Sequence, residues 1–171
     1  MENVIKTPSM TFGEAVKTCF KKYATFSGRA RRSEFWWFSL LNWLLSVASS
    51  ILVWWKLAKV EEIQSKAAEV MFDEEKYHAL LEQAEGVDST FFLLAPVIGI
   101  IALILLLPSL AVAVRRLHDI GKSGWLLLAM IIPFVNIIVG IILLIYYLKD
   151  SDYGTNKFGP SPKYIAKEAV D

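Results

Sequence analysis

The chain has 171 residues, enough for one ordinary domain, with 55% hydrophobic and 20% charged residues and a net charge of +1. An average soluble domain is about 45–50% apolar and about 25% charged, and the apolar excess here lies in three blocks free of charge, Phe35–Trp55, Phe91–Val114 and Trp125–Leu148. That pattern excludes a soluble globular enzyme and a disordered chain, the single cysteine Cys19 excludes a disulfide scaffold, and the near-neutral charge gives no case for nucleic acid.

Residues 1–10 read as a flexible tail. Residues 11–26 follow as an amphipathic helix. From Phe12 the apolar positions Ala15, Val16, Cys19, Phe20, Tyr23 and Ala24 fall at offsets of 3, 4, 7, 8, 11 and 12, which is one helical face. Lys17, Lys21 and Lys22 lie on the other side, and Thr11 is placed to cap the helix. A basic amphipathic helix just before a span suits the membrane interface. The same face equally suits packing on the protein's own helices. The first 34 residues hold seven Lys/Arg and no apolar core of a signal peptide, so the first span is expected to be an uncleaved anchor.

Residues 27–171 read as the membrane domain. In GRARRSEFWWF, Gly28 permits a turn, Ser33 is a candidate N-cap, and Glu34 falls in the first turn, where the helix dipole favours an acid. The first span is 35–55. Trp36 and Trp37 mark one membrane interface and Trp54 and Trp55 the other, roughly 27 Å apart along a helix, against a hydrocarbon core of about 30 Å. Residues 56–90 turn acidic, with nine Asp/Glu and four lysines, and read as an extramembrane helical insertion. His78 has acids near it but no second histidine, so no metal site is expected.

The second span, 91–114, contains Pro96, Gly99 and Pro108, and Pro108 is expected to kink it. The loop RRLHDIGKSGW follows, with Gly121 suited to a C-terminal cap and Ser123 to the next N-cap. The third span is 125–148, bracketed by Trp125 and by Tyr146 and Tyr147. Its length favours a full crossing, with a re-entrant hairpin broken at Pro133–Asn136 as the alternative. Residues 149–171 form a polar tail rich in turn formers. The fold class expected is therefore all-α and polytopic: three transmembrane helices, an N-terminal amphipathic helix and the insertion. With three crossings, the N-terminus and the 115–124 loop lie inside with ten of the 18 Lys/Arg, and 56–90 and the C-terminus lie outside. A re-entrant third segment would bring the tail inside.

Chemistry concentrates in Arg115, Arg116, His118 and Asp119, joined from the first loop by Arg29, Arg31, Arg32 and Glu34. Guanidinium groups at bilayer depth suit phosphate and anionic headgroups. The structural reading pairs Asp119 with an arginine or with a helix end, and Glu34 with Arg115 or Arg116. No nucleophile–base pair, P-loop or HExxH motif is present, so no catalytic residue and no cofactor is expected. Asn42, Asn136, Ser46, Ser49, Ser50 and Ser109 are the main polar groups within the spans and suit interhelical contacts.

GRARRSEFWWF, RRLHDIGKSGW and NKFGPSP, in that order around apolar spans, resemble the YhaH-like family of small bacterial inner-membrane proteins, a domain of unknown function. The resemblance covers about Phe26 to Pro162. Gly28, Arg29, Arg32, Glu34, Phe35 and Trp36 match the first motif, and Arg115 to Asp119 with Ser123, Gly124 and Trp125 match the second. Asn156, Phe158, Gly159, Pro160 and Pro162 match the third, with Phe158 where the family often has tyrosine. The acidic segment 56–90 looks extended relative to compact members. The resemblance implies a multi-pass protein of the bacterial inner membrane and supplies no activity. Three functions follow as expectations. The first is a non-enzymatic membrane protein whose arginine-rich cytoplasmic face, Arg29, Arg32, Glu34, Arg115, Arg116, His118 and Asp119, binds anionic phospholipid or a membrane-protein partner, with or without homo-oligomers. The second is a small oligomeric transporter or channel. The third is an enzyme acting on a phosphorylated lipid through His118 and Asp119.

Overall fold

A computed structural model describes residues 4–166. In chain order it has strand β1 (Val4–Lys6), helices α1 (Phe12–Lys21), α2 (Arg32–Glu69) and α3 (Glu74–Asp119), a 3-10 helix (Gly124–Ile131), helix α4 (Val135–Leu148) and strand β2 (Tyr164–Ala166). The chain divides into two compact bodies. One comprises residues up to Leu41 and from Leu105 onward, and the other is Asn42–Ile104.

In the first body α1 is opened by a capping box. Thr11 Oγ1 accepts from Glu14 N at 3.4 Å, and Thr11 N donates to Glu14 Oε2 at 2.8 Å, which satisfies two amides at the helix start. The helix stops at Lys21, short of the expected residue 26. Its apolar face is used by the fold. Cys19 belongs to the core with Ala30, Phe35, Phe38, Leu105 and Val112, and Val16 packs against it. Phe12 meets Trp37 and Phe20 meets Phe38 edge to face, each at 5.9 Å. Packing on its own fold is thus a use the structure gives this face.

The expected flexible tail at 1–10 needs correction for residues 4–6. These pair antiparallel with Tyr164–Ala166, Ile5 opposite Ile165. Thr7 continues the ladder, its N–H donating to Lys163 O at 2.9 Å. Residues 1–3 and 167–171, the ends of the two expected tails, lie outside the described residues.

The second body is a helical hairpin made by the rest of α2, a turn and the first part of α3. The acidic segment is therefore a continuation of both long helices. Asp73 opens α3, its carboxylate accepting from Lys76 N at 3.3 Å. Within the hairpin, Lys56 pairs with Asp88 at 2.9 Å and sits 4.4 Å over the Phe91 ring.

Helix α2 has 38 residues and α3 has 46, about 57 and 69 Å at about 1.5 Å per residue, so each exceeds the bilayer core. α3 runs unbroken through Pro96 and Pro108. Both are long and apolar enough to cross a membrane, and their apolar stretches are only 6% and 22% buried. The core helix of a water-soluble protein is mostly covered, and these stretches are mostly uncovered among the described residues.

The third apolar block corrects the sequence reading. It is not one continuous helix but a 3-10 helix and an α-helix joined at Ile132–Phe134. Ser123 caps the 3-10 helix, its hydroxyl accepting from Trp125 N at 3.4 Å. A Cβ on Gly124 would lie 2.6 Å from Val114 Cγ1, so only glycine lets this helix start against the end of α3. Pro133 and Phe134 make the turn, and Phe134 sits in the left-handed region at φ 65°. Three amides around the turn are bonded, Ile132 N to Ala129 O, Val135 N to Pro133 O and Asn136 N to Ile132 O. α4 has 14 residues, about 21 Å, too short to cross. Its C-terminal end returns to the C-terminal end of α3, where Arg116 Nη2 donates to Tyr147 O at 3.3 Å. The segment thus begins and ends beside the C-terminal end of α3, with its break at Pro133 and Phe134.

Candidate functional site

Three polar segments meet in the first body: the turn before α2, the end of α3, and the tail after α4. Asp119 is their centre and is fully buried. Its Oδ1 accepts from Arg29 Nε at 2.9 Å and its Oδ2 from Arg116 Nη1 at 2.6 Å. The rest of the Arg29 guanidinium is spent on carbonyls: Nη1 donates to Gly154 O at 2.8 Å and Gly159 O at 3.2 Å, and Nη2 to Asp152 O at 2.7 Å and Asp119 O at 3.1 Å. One arginine from the first loop thus fastens the tail to the end of α3. Arg116 adds bonds to Tyr147 O and Lys149 O.

A second pair lies deeper. Arg115 Nη1 donates to Glu34 Oε1 at 2.6 Å, and both side chains are within 4% of full burial. Ala30 N donates to Arg115 O at 2.9 Å, tying the first loop to α3 by backbone as well. Cys19 Sγ lies 4.0 Å from the same Glu34 oxygen. Burial first, and then the Glu34 charge, push the Cys19 thiol up to about 12. Arg115 Nη2 and Arg116 Nε are buried without a hydrogen-bond partner among the described residues.

His118 stands apart from Asp119. Its Nδ1 lies 3.2 Å from Gly28 O, a carbonyl that can only accept, so Nδ1 carries the proton and Nε2 is the free acceptor of the neutral ring. The ring stacks on Phe158 at 3.7 Å and 6°. Asn156 Nδ2 donates to His118 O at 2.9 Å, while its Oδ1 accepts from Phe158 N at 2.9 Å. Both Asp119 oxygens are already taken by arginines, so no His–Asp acid/base pair forms.

Outside this network lies an open cleft of about 580 Å³ between Thr7–Ser9, the start of α2, and Asp150–Ser151, with Lys6 and Lys163 on its rim. Arg31 donates from its wall to Thr7 Oγ1 at 3.0 Å and Pro8 O at 2.5 Å. Lys163 bonds Asp150 and holds that carboxyl below its ordinary range. Arg32 is exposed, and it pairs with no carboxylate among the described residues.

The family model for the protein of unknown function DUF805 matches residues 23–160, which include all three polar segments. The chain belongs to the DUF805 family. It is 30% identical over 144 residues to the inner membrane protein YhaI of Escherichia coli K12, covering 84% of this chain and 91% of that protein. It is 29% identical over 147 residues to the inner membrane protein YhaH of the same organism, again over 84% and 91%. No solved structure matches. The DUF805 description carries no activity.

Within this DUF805 member, Arg29, Glu34, Arg115, Arg116 and Asp119 do come together, and with one another. As a headgroup-binding set they need correction, because their charged groups are buried against each other and against carbonyls. Of the expected ligand residues Arg32 is exposed and His118 is half-buried. Trp36, Trp37, Trp54, Trp55 and Trp125 are exposed, as a lipid interface requires, but Tyr147 is turned inward and packs on Phe35 at 4.2 Å. Sequence reasoning did not single out Lys6, Ser151 or Lys163. The signal was slight: the ladder between β1 and β2 places Lys6 and Lys163, and the bonds of Lys149 and Asp152 to the Asp119 network place Ser151.

Proposed function

We propose that the protein is a non-enzymatic integral membrane protein with two crossings and one re-entrant hairpin, whose cationic cytoplasmic face holds anionic lipid headgroups. Arg32 carries this reading. It is an exposed guanidinium, unpaired by any carboxylate among the described residues, placed four positions before Trp36 at the start of a helix long enough to span. Basic side chains at that depth attract anionic headgroups, and guanidinium binds phosphate as a fork. Orientation is supported by charge. With the tail beside the first loop and the 115–124 loop, those segments carry fourteen of the 18 Lys/Arg and residues 56–90 carry four. Excess Lys and Arg mark the cytoplasmic side. A non-enzymatic role is favoured by His118, which faces a carbonyl and an aromatic ring and has no carboxylate partner among the described residues.

Native mass spectrometry of the protein released from nanodiscs tests this. Discs of phosphatidylcholine with a minority of phosphatidylglycerol should yield protein retaining phosphatidylglycerol out of proportion. The Lys6→Gln/Arg32→Gln double variant should lose that enrichment. Retention in proportion to the disc composition by the unsubstituted protein would overturn the reading.

A further inference from the structure

The cleft beside Arg32 has features of a built anion site. Its lining carries four cationic side chains, Lys6, Arg31, Arg32 and Lys163, against one carboxylate, Asp150, that is already bonded to Lys163. One wall is the N-terminus of α2. The first intrahelical bond there is Phe35 N to Arg31 O at 3.2 Å, so the amides of the first turn have no helical acceptor, and the helix dipole is positive at that end. The independent observation is Ser151. It lines the cleft, is only 3% exposed, and its Oγ has no hydrogen-bond partner among the described residues. A buried hydroxyl without a partner is unfavourable, and an oxyanion in the cleft would supply one.

We infer that this cleft is a phosphate site and that it takes a terminal phosphomonoester, such as the headgroup of a phosphomonoester lipid, in preference to a phosphodiester. The inference names the ligand of the cationic face and so rests on the reading given above. Charge sets the preference. A phosphomonoester carries close to two charges at neutral pH, with its second pKa near about 6, and has three terminal oxygens. A phosphodiester carries one charge and has two free oxygens. Three uncompensated cations, the helix start and the Ser151 hydroxyl supply more donors than a diester can use. Lys6 and Arg32 act as mobile charges at the rim, while Arg31 is held in place by Thr7 and Pro8.

The test places the full chain in phosphatidylcholine nanodiscs containing equal minorities of phosphatidic acid and phosphatidylglycerol. Lipid retained on release is read by native mass spectrometry. A parallel sample in detergent is heated with inorganic phosphate or with chloride at matched ionic strength. The expected result is at least about tenfold preference for phosphatidic acid, reduced roughly tenfold by Ser151→Ala or by Arg32→Gln, as loss of one charge-assisted bond predicts. Ser151→Ala removes an unpartnered hydroxyl, so its unfolding temperature without ligand should not fall, which separates lost binding from lost folding. Protection by inorganic phosphate in detergent would identify the phosphate group as sufficient, and its absence together with lipid retention would identify the lipid as the source. Either outcome supports the site. Equal retention of both lipids, lowered equally by Arg32→Gln, would overturn the phosphomonoester site and leave the headgroup reading standing. Protection by phosphate that Ser151→Ala abolishes, with neither lipid retained, would do the reverse.

Discussion

Asp119 is the residue on which three distant segments depend. Its two oxygens answer Arg29 and Arg116, and all three side chains are almost wholly buried. A buried ion pair is little better than a well-packed apolar group, but removing one partner strands the other charge. Asp119→Ala strands two, so the variant should lose about 3–5 kcal/mol or more of stability, read as a large drop in unfolding temperature in detergent. Arg32→Gln, at an exposed position, should change stability by less than about 0.5 kcal/mol. A small effect of Asp119→Ala would show that the three segments are held by something else. The residue types of this network were legible in sequence, but structural pairing and ligand binding stayed open as two readings of them. The choice of partners was not. Glu34 had two candidate arginines one residue apart, and only the facing of α3 against α2 selects Arg115. The carbonyls of Asp152, Gly154 and Gly159 that absorb Arg29 carry no sequence signal, since any residue supplies a carbonyl.

Among the elements, the third apolar block shows where sequence reading stops. Hydropathy reports that 24 residues avoid water, and their length fits a bilayer. It does not report whether the chain crosses or turns back. The turn is decided locally by Pro133 and Phe134 and at longer range by Gly124, which sits where a Cβ would strike Val114. Gly124→Ala should therefore cost about 1–3 kcal/mol through overpacking. Adding Val114→Ala should recover part of that loss by opening the space, a coupling that a thermal unfolding double-mutant cycle would measure. Additive effects would mean that the two residues do not meet. The long helices were more legible. The first two charge-free runs fell within α2 and α3, whereas the segment 56–90, read as a separate helical insertion, is instead shared between the two long helices. The two short strands were not legible, because three residues at each end of a chain carry too little pattern to predict a pairing.

At the scale of the whole molecule, the hairpin decides topology. In the proposed topology the third block turns back, both described ends share a side, the third motif joins the first two, and the distribution of Lys and Arg becomes strongly one-sided. The central claim is therefore that the tail after α4 lies on the opposite side of the membrane from the turn between α2 and α3. Two exposed positions report this directly: Phe72 at that turn, and Tyr153 in the tail. The native Cys19 is buried and its thiol is pushed up to about 12, so thiolate is scarce at pH 8 and Cys19 should stay silent. A membrane-impermeant maleimide applied to intact spheroplasts should label the Phe72→Cys protein at once. It should label the Tyr153→Cys protein only after lysis. Labelling of both proteins from outside would contradict the hairpin and restore a third crossing.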